Sequence, residues 1–228
     1  MNLKQGGTVC KMECKGAIFD MDGLLFDTEF LYQQTWQEIA RERGTELRTG
    51  FTGAISGTNG AYMCNVIEEY YNVTDGTAIM EECMERVRKK LSVHVPVKKG
   101  VFKILDFFRE KDVNMAVASS SAREQIESNL ETAGIRDYFK NIASGMEVRC
   151  SKPASDIFIY TAGLLGCAPF QCVVFEDSGN GIKAGYTAGC TTIMVPDLTS
   201  PSPGIIPYCT KICTDLIQAK KEVEKMFF

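Results

Sequence analysis

Two acidic residues, Asp20 and Asp22, stand one residue apart directly after the apolar run of residues 17–19 and just before Gly23. Carboxylates this close repel each other, so holding them together costs free energy unless a cation or a reaction uses them. A buried strand would not end in this way without a purpose for the charges. The two acids therefore indicate a cation site or a reaction centre.

Polar residues also follow other apolar runs of the chain. They are Ser119, Ser120 and Ser121 after residues 115–118, Lys152 before Pro153, and Glu176 and Asp177 after residues 172–175. Because ligands of an open parallel sheet bind beyond the carboxyl ends of its strands, we expect these groups at one edge with Asp20 and Asp22. Carboxylates can share Mg²⁺ with a substrate phosphate, and one of them can attack phosphorus. Lysine and hydroxyl groups then steady the phosphoryl oxygens.

Short apolar or β-branched runs alternate with amphipathic helical patterns, and these elements must position the polar groups. The predicted strands cover residues 16–22, 113–120, 141–145, 172–177 and 190–196. Helical spacing is found in residues 101–108, 126–133 and 158–165, and Pro153 suits the first turn of the last of these helices. Strands that are apolar without alternation indicate a parallel sheet covered by helices on both faces. The predicted fold class is therefore α/β.

The interval of residues 28–95 differs, because it shows helical patterns and no convincing strand. The helices predicted there span residues 28–44, 60–72 and 76–92. Gly44 is expected to form the C-cap of the first helix, and Pro96 marks the return to alternating strands and helices. We therefore predict an α/β core of residues 1–27 and 96–228, with an all-helical domain inserted after the first strand.

The composition argues against several classes of protein. With a formal net charge of −4 over 228 residues, the chain lacks the basic balance of a nucleic-acid binder, and no apolar run is long enough to cross a membrane. The ten cysteines include no CxxC pair and His94 is the only histidine, so we expect reduced thiols in preference to a disulfide or a metal site. The first residues show no apolar signal core. These features favour a cytoplasmic protein without nucleic-acid or membrane partners.

Four segments together resemble the four motifs of the haloacid dehalogenase superfamily. They are FDMDGLLFDTE (19–29), ASSS (118–121), SKPASDIF (151–158) and FEDSGNGIKAG (175–185). The likeness is to the branch with a helical cap after the first motif, which includes β-phosphoglucomutases and small sugar phosphatases, and it covers nearly the whole chain. The resemblance implies a Rossmann-like sheet with the inserted helices as the cap. It also implies Mg²⁺ as the cofactor and a small phosphorylated metabolite as the partner.

The resemblance implies roles for four acids. Asp20 is expected to be the nucleophile that carries the phosphoryl group in the intermediate. Asp22 is expected to protonate the leaving oxygen and then activate water, while its backbone carbonyl contacts Mg²⁺. Asp177 is expected to bind Mg²⁺ directly, with Glu176 beside it or behind it. Dehalogenases lack the second acid of the first motif, so Asp22 favours phosphoryl transfer.

The same resemblance implies a set of phosphate-binding positions. Ser119 is expected to bind the transferring phosphoryl group, with Ser120 next to it. Lys152 is expected to neutralise that group and to hold the nucleophile, and Gly23 lets the chain turn away from the site. A structural alternative is that Ser120 or Ser121 caps the following helix, and capping is likewise open for the two acids of the fourth motif.

A phosphomutase is the alternative to a phosphatase. The β-phosphoglucomutase branch has a histidine at the position of Tyr32, and it has an arginine early in the second cap helix, where residues 56–63 contain none. Candidate substitutes for that arginine are Arg41, Arg43 and Arg48. Both departures favour a phosphatase, and a non-catalytic binding protein is the third hypothesis.

The predicted cap is expected to open and close about segments near Thr28 and Pro96, which would shield the chemistry from water. Tyr32 and Trp36, in the first cap helix, are the candidates for contact with substrate. We expect a monomer, with a dimer as the alternative.

Overall fold

The computed structural model describes residues 13–55, 58, 60–198 and 200–228, so Cys10 and part of the 56–63 segment lie outside the described residues. The strands of the described chain are β1 (Gly16–Phe19), β2 (Asn114–Ser119), β3 (Asn141–Ser144), β4 (Cys172–Glu176), β5 (Thr191–Met194) and β6 (Lys211–Ile212). They form one sheet in the order β3-β2-β1-β4-β5-β6, and every neighbouring pair is parallel. The predicted α/β class with a parallel sheet is therefore confirmed.

Helices connect the strands. In the described residues they are α1 (Thr28–Glu42), α2 (Phe51–Ile55), α3 (Gly60–Tyr71), α4 (Thr77–Leu91), α5 (Val101–Glu110), α6 (Arg123–Thr132), α7 (Asp156–Leu164), α8 (Gly179–Ala188) and α9 (Leu216–Phe227). The first four follow β1 without an intervening strand among the described residues, and we call residues 28–95 the helical insert. The remaining helices alternate with strands, except that none of them lies between β5 and β6.

The sheet is buried on both faces. Alternate residues of a strand point to opposite faces, so Phe19 belongs to the core under α5, α6 and α9, while Ile18 belongs to the core under α7 and α8. On the first face the Phe19 ring stacks on Phe175 at 4.7 Å and meets the edge of Phe108 at 6.0 Å. Each fully buried phenyl group contributes roughly 1.5–3 kcal/mol through removal from water.

Several predicted boundaries differ from the structure. β1 ends at Phe19 instead of residue 22, so Asp20 and Asp22 lie in the loop that follows. Helix α7 begins at Asp156 and Pro153 precedes it in a turn, so the prediction that Pro153 occupies the first helical turn is wrong. Strand β6 was not predicted, because it has only two residues, both exposed, and no apolar pattern.

The helical insert has an apolar interior of its own side chains. Trp36 is 2% exposed and meets the rings of Phe51 and Tyr71 edge to face, and the Tyr71 hydroxyl donates a 2.6 Å hydrogen bond to the Trp36 carbonyl. Trp36 therefore belongs to this core, and its contact with substrate stays a prediction. Helix α1 ends at Glu42 with Arg43 as its C-cap, one residue before the predicted C-cap Gly44. Gly44 follows with φ +69°, a conformation that favours glycine just after a helix.

Two chain segments join the insert to the sheet, and they run side by side. The Asp27 amide donates to the Pro96 carbonyl at 2.8 Å, and the Lys98 amide donates to the Leu25 carbonyl at 2.9 Å. Between them Phe26 and Val97 form an antiparallel bridge. The insert therefore begins and ends at one point beside the end of β1. None of the described helices is long and apolar enough to span a membrane.

Candidate active site

The register of the sheet brings the ends of three strands together. Phe19 pairs with Val117 of β2 on one side and with Phe175 of β4 on the other. The next residue, Asp20, donates its amide to the Phe175 carbonyl at 3.0 Å, so it still lies between its neighbours. The residues that follow these strands consequently meet at the carboxyl edge of the sheet, where the sequence predicted them.

Lys152 reaches this edge from the loop before α7. Its Nζ donates to Asp20 Oδ1 at 2.5 Å, to Glu176 Oε1 at 2.6 Å and to the Ala118 carbonyl at 3.1 Å. Burial alone would lower the pKa of Lys152, but the charges of Asp20 and Glu176 outweigh burial and hold the pKa above its ordinary value. A permanently charged ammonium group therefore links the acid after β1 to the acid at the end of β4.

The acids outnumber this single cation. Burial raises the pKa of Asp20 to about 8; Lys152 opposes the rise and the charge of Glu176 adds to it. Burial also raises the pKa of Asp177, and the charges of Glu176 and Asp20 add to this rise. The edge therefore holds more carboxyl groups than Lys152 alone can keep ionised.

Three carboxylates have the proximity that a divalent cation needs. Oxygen atoms of Asp20, Glu176 and Asp177 lie within 4.8 Å of one another. Both Glu176 oxygens are already bonded, Oε1 to Lys152 and Oε2 to the amide and hydroxyl of Ser178 at 3.1 and 2.9 Å. Among the described residues, none donates to Asp20 Oδ2 or to the Asp177 carboxylate. Hard oxygen donors of this kind fit Mg²⁺, and the free oxygens are those of Asp20 and Asp177.

Gly23 lies directly against this group. Its φ of +81° suits glycine, and a Cβ at this position would overlap with Asp177 Oδ2. The glycine thus allows the chain after β1 to pass close to the acids of β4. Its predicted part in phosphate binding stays a prediction.

Asp22 is held by two hydroxyl groups. Thr28 Oγ1 donates to Asp22 Oδ1 at 2.9 Å, and Ser121 Oγ donates to Asp22 Oδ2 at 3.0 Å. Burial raises the pKa of this carboxyl, and the two hydroxyl donors oppose the rise. Ser121 was predicted at this edge of the sheet, although no contact with Asp22 was expected, and Thr28 was predicted only as a hinge residue. Both lie inside the motif segments 19–29 and 118–121, which was the available signal.

The three serines after β2 take different positions. Ser119 is buried, and its Oγ accepts from the Ser121 amide at 3.1 Å, while Ser120 is exposed. The capping alternative is wrong here, because α6 begins after Ala122 and has no side-chain cap. Capping is also wrong for Glu176 and Asp177. Ser178 caps α8 instead, because its side chain accepts a hydrogen bond from the Gly181 amide at 3.1 Å.

One further acid, which was not predicted from the sequence, reaches the carboxyl edge. Asp197 follows β5 by three residues, its side chain is 8% exposed, and it pairs with Lys98. Its Oδ2 would lie 3.3 Å from a Cβ on Gly23. The only signal in the sequence was an acid after an apolar strand.

Comparison with known proteins decides the family. The model of the haloacid dehalogenase-like hydrolases matches residues 17–195, which include all four motifs. The chain belongs to the haloacid dehalogenase-like hydrolase family. The predictions of this family, and of a phosphoester hydrolase within it, are confirmed.

Relatives of the chain in this hydrolase family include characterised bacterial proteins. The fructose-1-phosphate phosphatase YqaB of Escherichia coli is 32% identical over 79% of this chain and 95% of its own length. Hexitol phosphatase B of Escherichia coli is 29% identical over 79% of this chain and 82% of its own length. A hydrolase of the family from Deinococcus radiodurans, solved with bound phosphate and sodium, superposes with a TM-score of 0.81 at 23% identity, covering 94% and 97% of the two chains. The last likeness supports the fold.

The insert places its candidate residues at different distances from the acids. Tyr32 is half-buried, and burial together with the charge of Asp22 raises its pKa, so it lies towards the acids. Arg43 at the far end of α1 pairs with Glu82 at 2.6 Å. At a rise of about 1.5 Å per residue, Arg43 stands roughly 20 Å from the start of α1. It therefore cannot reach the carboxyl edge in this arrangement.

Proposed function

We propose that the protein is a Mg²⁺-dependent phosphatase that hydrolyses a small phosphomonoester, a sugar phosphate or a related metabolite, through a phosphorylated Asp20. The observation that carries the proposal is the bridge from Lys152 to Asp20 and Glu176, beside Asp177 and Ser119. A nucleophile, a fixed positive charge and free carboxylate oxygens meet there at one edge of the sheet. The phosphatase relatives support the substrate class.

Asp20, Asp177 and the backbone carbonyl of Asp22 would hold the cation. When bound, Mg²⁺ supplies positive charge that offsets the carboxylates and the phosphoryl oxygens. Glu176 is assigned to Lys152 and Ser178, because both of its oxygens already accept hydrogen bonds from them. Its role is therefore to orient the lysine.

The chain's own residues supply the two chemical steps. A carboxylate oxygen of Asp20 attacks phosphorus and the bond from phosphorus to the leaving oxygen breaks, while Asp22 gives that oxygen its proton. Asp22 then takes a proton from water, the water oxygen attacks phosphorus, and the bond to Asp20 breaks. Free phosphate and an alcohol leave, and both acids return to their first state.

Two groups would bind the phosphoryl oxygens during transfer. Lys152 is fixed by three acceptors before substrate arrives, so little reorganisation is needed. Ser119 is buried at the end of β2 and faces the same edge. The exposed Ser120 can add its backbone amide.

A phosphatase is favoured over a phosphomutase by the surroundings of the arginines. A mutase must bind the second phosphate of a bisphosphate, but Arg43 and Arg48 are paired with Glu82 and Glu69 on the insert. Arg41 lies in the last turn of α1, far from the acids. With β-glucose 1-phosphate and a trace of the bisphosphate, we expect free phosphate, whereas isomerised sugar phosphate would establish a mutase.

We further propose that residues 28–95 act as a cap that closes over the carboxyl edge, with the paired linkers as its hinge. A cytoplasmic location suits the cysteines, because the nine that the structure describes are free thiols. The monomeric state stays a prediction, which size-exclusion chromatography with light scattering tests.

Phosphate release over a panel of phosphorylated metabolites tests the function, with Mg²⁺ and with a chelator. We expect release from one compound or a few, lost with the chelator, and lower by at least about a thousandfold in Asp20→Asn. Asp215→Asn is the matched control, since it changes the same group at a surface helix cap. Full release by Asp20→Asn would overturn the mechanism, and no release from any compound would overturn the phosphatase.

A further inference from the structure

Asp197 has an oxygen atom without a partner. Among the buried side-chain oxygen and nitrogen atoms of the described residues, Asp197 Oδ2 is the one that makes no hydrogen bond. Buried polar atoms in folded proteins nearly always have a protein or water partner. An orphaned carboxylate oxygen is therefore a sign of a ligand.

The other oxygen of this carboxylate has a partner. Oδ1 pairs with Lys98, and Lys98 also lies 3.2 Å from Asp27 Oδ1. Oδ2 lies on the side of the carboxylate that faces Gly23, next to Asp177. A Cβ on Gly23 would lie 3.3 Å from Asp197 Oδ2 and would overlap with Asp177 Oδ2. The two carboxylate oxygens thus flank the same small space, which only a glycine leaves open.

We propose that Asp197 Oδ2 accepts a hydrogen bond from a water molecule bound to the cation that Asp20 and Asp177 hold. The inference rests on the proposed function, since it adds a residue to the same cation site. Asp197 lies outside the group of three carboxylates whose oxygens are within 4.8 Å of one another, so it reaches the cation through water. Mg²⁺ keeps several waters when proteins bind it.

A cavity lies beside this position. A cavity of about 370 Å³ is lined by Gly23, Lys98, Val195 and Pro196 among others, and it adjoins the segment that carries Asp197. Residues that hold the waters or ligands of a metal typically change its affinity by 10- to 100-fold when they are removed. Asp197 is therefore a positioning residue, acting on the cation through a water.

The competing explanation is that Asp197 serves only to anchor Lys98 between the two linkers. The two explanations differ in the effect of removing Lys98. Lys98→Met breaks the ion pair but leaves the Asp197 carboxylate, so cation affinity should not fall if Oδ2 serves the cation. Asp197→Asn breaks the same pair and removes the charge, so cation affinity should fall.

Titration calorimetry with Mg²⁺ alone, on the full chain near neutral pH, tests the proposal without any substrate. We expect the Kd for Mg²⁺ to rise about tenfold or more in Asp197→Asn and to stay at or below the wild-type value in Lys98→Met. Asp215→Asn is the control, because Asp215 borders the same cavity and pairs with the neighbouring Lys99. It should leave the Kd unchanged.

Each other outcome has a definite meaning. A wild-type Kd in Asp197→Asn overturns the inference and leaves the proposed function standing. An equal loss of affinity in Asp197→Asn and Lys98→Met also overturns it, in favour of the anchoring role. If Asp197→Asn does not fold, weaker binding by Lys98→Met alone is enough to reject the proposal. A wild-type chain that does not bind Mg²⁺ overturns the metal dependence itself and the inference with it.

Discussion

Thr28, the first residue of α1, donates a 2.9 Å hydrogen bond to Asp22. The helical insert therefore begins with a direct contact to an acid of the carboxyl edge. Thr28 is 1% exposed, so no bulk water competes for this bond. The position of the insert and the position of the Asp22 carboxyl are physically connected.

Replacing Thr28 should lower turnover without unfolding the chain. Thr28→Val keeps the shape but removes one of the two hydroxyl donors to Asp22, and hydrogen bonds to charged groups contribute roughly 1.5–3 kcal/mol. We expect kcat to fall about tenfold or somewhat more. Steady-state kinetics with the best substrate measures it, and Thr28→Ser should stay within about twofold of wild type. A wild-type kcat in Thr28→Val would show that this contact does not position the acid.

Removing Lys152 should destabilise the fold itself. Lys152→Met leaves Asp20 and Glu176 buried without their shared partner, and breaking a buried ion pair on one side costs about 3–5 kcal/mol. Urea unfolding without divalent cations measures the loss. The exposed Lys140 provides the control, since Lys140→Met should change the stability by less than about 0.5 kcal/mol. Equal stability of the two variants would contradict the prediction.

Two glycines with similar backbones should respond differently to alanine. Gly23 and Gly44 have φ of +81° and +69°, but only Gly23 has other atoms within reach of an added Cβ. Gly44→Ala should lower the free energy of unfolding by about 1 kcal/mol, because alanine disfavours the left-handed conformation. Gly23→Ala should lower the free energy of unfolding by more than this. It should also weaken Mg²⁺ binding, because Asp177 must move to make room for the added Cβ. Thermal melts and Mg²⁺ titration compare them, and equal effects would show that the site tolerates the displacement.

The contribution of Asp215 to the stability of the fold should depend on pH. Its Oδ1 accepts from the Gln218 amide at 2.9 Å as the N-cap of α9, and its Oδ2 accepts from Lys99 at 2.7 Å. The hydrogen bond from Lys99 is the larger cause, and the one from the Gln218 amide the smaller cause, of a pKa of Asp215 below its ordinary value. Loss of this cap in Asp215→Ala should cost about 1 kcal/mol near neutral pH.

The sign of the pH effect follows from the lowered pKa. The charged carboxylate stabilises the fold above the unfolded pKa of about 3.9, and this stabilisation is lost as the pH falls through the lower folded value. The gap in melting temperature between wild type and Asp215→Ala should therefore narrow at acid pH. A gap that stays constant down to the lowest accessible pH would contradict the assignment.

The strands and the acids at their ends were predictable because both leave strong local signals. In a parallel sheet, an apolar run followed by charges indicates a buried strand with site residues at its carboxyl end, and β1 and β4 fit this interpretation. The side chain of Trp36 was not predictable in the same way. Helical spacing shows that a residue is apolar, but not which neighbouring helix it meets. Its contacts with Phe51 and Tyr71 depend on how α1 packs against α2 and α3.

Contacts between distant segments were also beyond local patterns. Ser121 and Asp22 are far apart in the chain, and only the pairing of β1 with β2 brings them to 3.0 Å. Asp197 stands alone after Val195 and Pro196 without a motif around it, and an acid after an apolar strand is too weak a signal by itself to distinguish it from a surface acid. Its orphaned oxygen becomes visible only when its neighbours in space are known.

The paired linkers have an evolutionary consequence. Because Asp27 and Pro96 are joined by a backbone hydrogen bond, the gap that the insert spans in the chain is no wider than a hairpin turn. Segments of very different length can occupy such a gap without disturbing the sheet, since closing a longer loop adds only about 0.6 kcal/mol for each doubling of its length. Under the proposed function, with residues 28–95 as a cap over the site, a change of substrate would need only the exchange of this segment, while the acids at the strand ends stay as they are.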